Sequence, residues 1–166
     1  MKLILYIISF VIIMVACNPF APSIDSDLGG NDFLADQTTV DGFFQNWSSA
    51  YNYRDTIIYR QLLHSDFVFS YRDYDKNIDL SWDKLTDVRK TNGLFTTANY
   101  IDLSWNDYIF SIGDSVTWDA TRLFYLQITF SESDVINITG RAKIRLKREN
   151  SKQNWQMVQW VDESSF

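Results

Sequence analysis

The sequence predicts an α+β domain in which three helices come first and long strands come last. Three observations carry that prediction. Apolar residues recur at helical spacing through the first part of the folded region, and strict alternation replaces that spacing from Asn99 onward. The third is composition: 46% hydrophobic and 16% aromatic residues supply ample core, and 166 residues is a one-domain length.

The first helix is read from "TTVDGFFQNWSSAY". Val40, Phe43, Phe44, Trp47, Ala50 and Tyr51 fall on one face, behind Thr38 or Thr39 as N-cap. Asp55 caps a second helix, "DTIIYRQLLHS", with Ile58/Leu62 and Tyr59/Leu63 as i,i+4 pairs and His64 near its end. "DFVFSYRDY" follows as a short strand. Ser81 caps a third helix, "WDKLTDVRKTNG", in which Trp82, Leu85 and Val88 share a face and Gly93 is the stop.

Strands fill the remainder. "YIDLSW" alternates, and Gly113-Asp114 marks a turn. In "VTWDATRLFYLQITF", Val116, Trp118, Ala120, Phe124, Leu126 and Ile128 point one way, with Arg122 the exception among them. "INITGRAKIRLKR" sets Ile138, Ala142, Ile144 and Leu146 against Arg141, Lys143, Arg145 and Lys147, and "NWQMVQWVDE" closes as another strand. A sheet of such strands must bend around the helices to bury one face.

This order of elements, most clearly in "WSSAYNYRDTIIYRQLLHSDFVF" and "GRAKIRLKRENSKQNWQMVQWVDE", resembles the nuclear transport factor 2-like superfamily, also called cystatin-like or SnoaL-like. The resemblance spans residues 36–166 and rests on diffuse patterns rather than on invariant catalytic signatures. It implies a cone: a curved antiparallel sheet wrapped on three N-terminal helices, often with a pocket inside. Relatives include ketosteroid isomerase-like and dehydratase-like enzymes as well as noncatalytic binding and assembly domains, so the fold sets few limits on function.

Ahead of the domain, Lys2 precedes a run from Leu3 to Ala16 that is apolar except for Ser9, too short to span a bilayer comfortably. Met14-Val15-Ala16-Cys17 resembles the lipobox of bacterial lipoproteins, with Met14 departing from the preferred Leu. The resemblance implies a signal peptide over residues 1–16, cleavage before Cys17 and acyl chains on that residue. Asn18 after the cysteine resembles outer-membrane cargo, so the expected location is the bacterial cell envelope, lipid-anchored in the outer membrane. Residues 17–35 hold both prolines of the chain and Gly29-Gly30 without sustained periodicity, and read as a lipidated cysteine on a flexible tether.

The net charge of −6 argues against nucleic acid as partner and against attraction to an anionic membrane surface. His64, the only histidine, is a candidate general base, its plainer reading being a helix-end residue that suits the dipole. In ketosteroid isomerase-like relatives a pocket tyrosine and carboxylic acids act on an enolate, and the resemblance offers Tyr51, Asp66 and Asp119 as matching ingredients. Asp119 alternates with Trp118 and Ala120 and is expected to face away from the helices. One histidine and one acylated cysteine do not build a typical metal site, and no EF-hand spacing occurs, so neither metal nor cofactor is expected.

Trp82, Trp105, Trp118, Trp155 and Trp160 lie on elements expected to border the cone, as walls of a ligand cavity or an interface, or simply as core. The basic row Arg141, Lys143, Arg145 and Lys147 is expected to be a solvated face paired with acidic neighbours. These features favour a noncatalytic module that binds a small apolar ligand or an envelope protein, or self-associates as a homodimer. A small lyase or isomerase is the alternative, and it requires ionisable groups converging in the cavity.

Overall fold

The computed structural model describes residues 34–163, which lie in the unit Phe33–Phe166. The expected leader, Cys17 and nearly all of the tether lie outside the described residues. Three helices, α1 (Val40–Asn52), α2 (Thr56–Leu62) and α3 (Lys84–Thr97), pack on six strands. The strands are β1 (Leu63–Asp73), β2 (Ile78–Asp83), β3 (Tyr100–Gly113), β4 (Thr117–Ser131), β5 (Asp134–Lys147) and β6 (Gln156–Asp162). Among the described residues no helix is long and apolar enough to cross a membrane.

The strand order is β2-β1-β6-β5-β4-β3. It corrects the expectation of a wholly antiparallel sheet, because β1 and β6 pair in parallel. The reason is topological. β1 and β2 form a hairpin and β3–β4–β5 a meander, and the last strand turns back along β5 to fill the gap beside β1. The curved mixed sheet thus joins the beginning and the end of the domain.

Thr39 caps α1 by accepting a hydrogen bond from Gly42 N at 3.0 Å. Tightness there comes from Gly42 itself, since a Cβ would lie 1.9 Å from Asp36 O. The buried Asn46 pins the entering chain by accepting from Ala35 N at 2.7 Å and donating to Ala35 O at 3.0 Å. Arg54, at φ 57°, turns the chain into α2, and Asp55 accepts from Ile57 N and Ile58 N as predicted.

Two boundaries differ from expectation. α2 ends at Leu62, so His64 belongs to β1 and not to a helix end. α3 is capped by Asp83 rather than Ser81, which places Trp82 on a strand that the sequence pattern does not announce. This helix runs through Gly93 to Thr97, buries Asp87, Thr91 and Phe95, and leaves Leu85 exposed. An i,i+4 row with two polar members carries little apolar signal, so the pattern points to the face of Trp82, Leu85 and Val88 instead.

The sheet's inner face follows the predicted alternation. Ala120 of β4 is buried, and Phe124 and Ile128 of β4 with Ala142, Ile144 and Leu146 of β5 share one core cluster with Phe43, Phe44, Trp47 and Tyr59 from the helices. On the outer face Arg145 forms a two-pronged pair with Asp119, at 2.7 and 3.1 Å, and Arg141 lies 3.6 Å from Glu163. Asp119 therefore faces away from the helices, and both arginines of the basic row meet carboxylates.

Candidate functional site

Helix spacing and strand alternation together build a cavity between α1, α3 and the sheet. Trp47 and Tyr51, one turn apart on α1, form one wall with Leu94 of α3. Leu103 and Trp105 on β3, Phe124, Leu126 and Ile128 on β4, and Ile138 on β5 supply the opposite side. Trp160 and Asp162 of β6 complete it. Its volume is about 230 Å³, it opens partly to the surface, and its lining is largely apolar.

The indoles meet at steep angles. Trp47 lies 4.8 Å from Trp105 at 57° and 4.9 Å from Trp160 at 79°. The ring nitrogens of Trp105 and Trp160 are buried within the packing without a hydrogen-bond partner. Trp47 Nε1 likewise lacks a partner of good geometry, although it lies close enough to the Tyr51 hydroxyl to favour that group's ionised form.

Behind Tyr51 sits a buried polar cluster. Tyr59 Oη donates to Asp87 Oδ2 at 2.6 Å, and Trp82 Nε1 donates to Asp87 Oδ1 at 2.7 Å. Burial raises the Asp87 carboxyl above the ordinary aspartate range, opposed by those two hydrogen bonds and by the charge of Lys90. Burial, then the nearby Asp87 charge, pushes the Tyr51 hydroxyl far up, so at neutral pH it is a phenol. Tyr59 is raised for the same first cause.

A wider polar groove of about 770 Å³ lies along α1 and β3 and shares Leu103 and Trp105 with the cavity. Arg122 lines it, with its guanidinium 4.7 Å from the Phe44 ring centre and 4.4 Å from that of Tyr108, and Nε donating to Asn106 O at 2.7 Å. Burial, only partly offset by Arg122, pushes the Tyr108 hydroxyl up to about 12. Asn52 braces the β3 edge by accepting from Leu103 N at 2.6 Å.

The structure does not bring the sequence-predicted catalytic candidates together. Of Tyr51, His64 and Asp66, only Tyr51 lines the cavity. His64 borders a separate recess with Lys147, Arg148 and Gln156, and its Nδ1 accepts from Asp66 N at 3.1 Å and lies 3.6 Å from Asp66 Oδ2. Asp66 itself is largely exposed.

The tryptophans divide as well. Trp105 and Trp160 line the cavity, whereas Trp82 stacks on Phe69 at 4.4 Å and serves Asp87. Trp118 packs against the core, and Trp155 is buried beneath the Arg148 guanidinium at 4.0 Å. Sequence reasoning missed Trp47 as a cavity wall, together with Asp87 and Asp162. The i,i+4 relation of Trp47 to Tyr51 is a usable signal for the first, while an acid on a mixed helix face or at a strand end gives none.

No protein-family profile matches the sequence, and no curated protein matches it. Solved structures do match in shape. A conserved protein from Planctomyces limnophilus is 15% identical with a TM-score of 0.66, over 76% of this chain and 93% of that one. A proposed dehydratase of the NTF2-like family from Streptomyces avermitilis is 12% identical with a TM-score of 0.60, over 76% and 94%. An NTF2-like protein from Cytophaga hutchinsonii is 15% identical with a TM-score of 0.58, over 74% and 93%. With the six-stranded curved sheet, the helices on its inner face and these neighbours, the chain has the nuclear transport factor 2-like fold.

Proposed function

We propose that this domain is a noncatalytic module that binds a small, largely apolar molecule, held at a bacterial envelope membrane by acyl chains on Cys17. The observation that carries the binding reading is the largely apolar cavity lined by Trp47, Tyr51, Trp105, Phe124 and Trp160. Its volume of about 230 Å³ lies below the roughly 300–1,000 Å³ of drug-sized pockets and above the roughly 150 Å³ cavity that takes up benzene. A ligand of one or two rings is the matching size. Intrinsic tryptophan fluorescence tests this directly, because three indoles face the ligand. Titration with naphthalene gives a saturable change that Trp105→Ala weakens. An unsaturable response in the wild-type protein defeats the reading.

Anchoring is supported by the sequence alone: the short apolar run, the small residue before Cys17 and the tether after it. Two or more acyl chains give stable membrane attachment where one gives only marginal binding. Cys17→Ser is expected to move the protein out of the membrane fraction or leave its leader uncut, and unchanged processing and fractionation would refute the anchor.

A small lyase or isomerase is the second reading. What favours it is the presence of both Tyr51 and Asp162 on the cavity wall, and the description of one fold neighbour from Novosphingobium aromaticivorans as a proposed scytalone dehydratase. His64 and Asp66 supply nothing to that wall, and the first reading is preferred on this ground.

A further inference from the structure

We infer that the recess bordered by His64, Lys147 and Arg148 binds a phosphate group. It shares no lining residue with the apolar cavity and stands or falls apart from it. Strand register brings its floor together. Leu63, Leu146 and Met157 are fully buried, so alternation sends their neighbours His64 on β1, Lys147 on β5 and Gln156 on β6 to the outer face of the sheet. Lys147 and Gln156 are direct cross-strand partners, and Leu63, the residue before His64, pairs with Met157. Residues from the connection between β5 and β6, Arg148 and Asn154 among them, line the rest of a space of about 460 Å³.

The charge of this recess runs against that of the molecule. On a chain of net charge −6, Lys147 and Arg148 set two cations on the wall against one carboxylate, Glu149, which accepts from Gln153 Nε2 at 3.2 Å. The basic row of β5 is divided: Arg141 and Arg145 meet Glu163 and Asp119, whereas Lys147 forms no ion pair among the described residues. Arg148 is held by neutral groups. Its Nε donates to Ser115 O at 2.6 Å, and its Nη1 to Thr38 O at 2.8 Å and Gln153 O at 3.4 Å, with the guanidinium 4.0 Å from the Trp155 ring centre. These contacts fix the position of the guanidinium and leave its charge without a carboxylate partner among the described residues.

His64 adds a neutral donor. Its Nδ1 accepts from Asp66 N at 3.1 Å, so the neutral ring carries its proton on Nε2. Asp66 lies 3.6 Å from that same Nδ1, is largely exposed and does not line the recess. The donors thus come from three pieces of backbone: β1, the end of β5 and the loop after it. A tetrahedral phosphate accepts hydrogen bonds from several directions, whereas a carboxylate is best met by one two-pronged guanidinium. Arg148 has Nε and Nη1 already committed to carbonyls, which favours phosphate over carboxylate.

Because His64 is the only histidine, its ring gives a single NMR reporter at the site. The test follows that isotope-labelled ring in the full-length protein, in dodecyl maltoside micelles at fixed pH and ionic strength. The probes are α-glycerophosphate, its neutral counterpart glycerol, and micelles doped with phosphatidic acid. A saturable shift with α-glycerophosphate is expected, weakened about fivefold or more by Lys147→Ala and unchanged by Lys143→Ala, which removes a neighbouring charge outside the recess. A saturable shift with phosphatidic acid alone also upholds the site and assigns the phosphate to a lipid headgroup. No saturation with either phosphate source, or an equal response to glycerol, overturns the proposal. So does an affinity that Lys147→Ala leaves unchanged, or that both lysine variants lower equally. Should Lys147→Ala fail to fold, Lys147→Gln keeps much of the aliphatic stem and must show the same loss.

Discussion

At the scale of single residues, Asp87 is the side chain whose environment departs furthest from what its identity suggests. It is 4% exposed and accepts hydrogen bonds from both Tyr59 and Trp82. Asparagine offers one acceptor oxygen where the carboxylate offers two, so Asp87→Asn leaves one buried donor unpaired and costs about 1–3 kcal/mol in denaturant unfolding. The pH dependence has a definite sign. Burial raises the folded carboxyl above its unfolded value, so between the two the native state binds the extra proton and stability falls as pH rises. The advantage of wild type over Asp87→Asn is therefore largest below about pH 4, near the unfolded aspartate value, and shrinks as pH climbs through the raised one. An advantage that grew with pH in urea titrations would contradict this account. Nothing in "DKLTDVRKTNG" separates this aspartate from a solvated one, because burial arises from Tyr59 and Trp82, far away or on another element. Arg122 is more legible: it breaks an apolar alternation, and the structure answers with the Phe44 and Tyr108 rings.

At the scale of elements, caps and alternation are readable and one helix is not. Thr39 and Asp55 cap their helices as expected, and the buried faces of β4 and β5 match the predicted residues, because these signals are local. α3 misleads because its core-facing row is Asp87, Thr91 and Phe95, and because a glycine near the end of a helical pattern resembles a terminator. Gly93 instead sits inside the helix with open space where a Cβ would be. Gly93→Ala is thus expected to stabilise the domain by about 0.5–1 kcal/mol, seen as a higher denaturant midpoint with an unchanged slope. Gly42→Ala is its counterpart: the added carbon meets Asp36 O at 1.9 Å, and the midpoint falls. A Gly42→Ala protein as stable as wild type would show that the entry to α1 is not fixed as described.

At the scale of the whole molecule, the cone is legible from the order of helices and strands, whereas the parallel contact between β1 and β6 is not. Alternation identifies a strand but says nothing of its neighbour. β6 occupies an interior position in the sheet and contributes Met157, fully buried, and Trp160 of the cavity. A chain ending at Asn154 loses that strand and separates the β1–β2 hairpin from the β3–β4–β5 meander. Such a chain is expected to show no cooperative unfolding transition by circular dichroism, and a sharp transition would mean that the two parts hold together without it.

Synthesis runs from the N-terminus onward, and the strand that unites the sheet is the last of the described elements to be made. While the ribosome is still adding residues before Gln156, the growing polypeptide has two sheet fragments and nothing to seat between them. The domain therefore stays open until β6 has been made, and a chain halted before that strand presents two unjoined sheet edges to its surroundings.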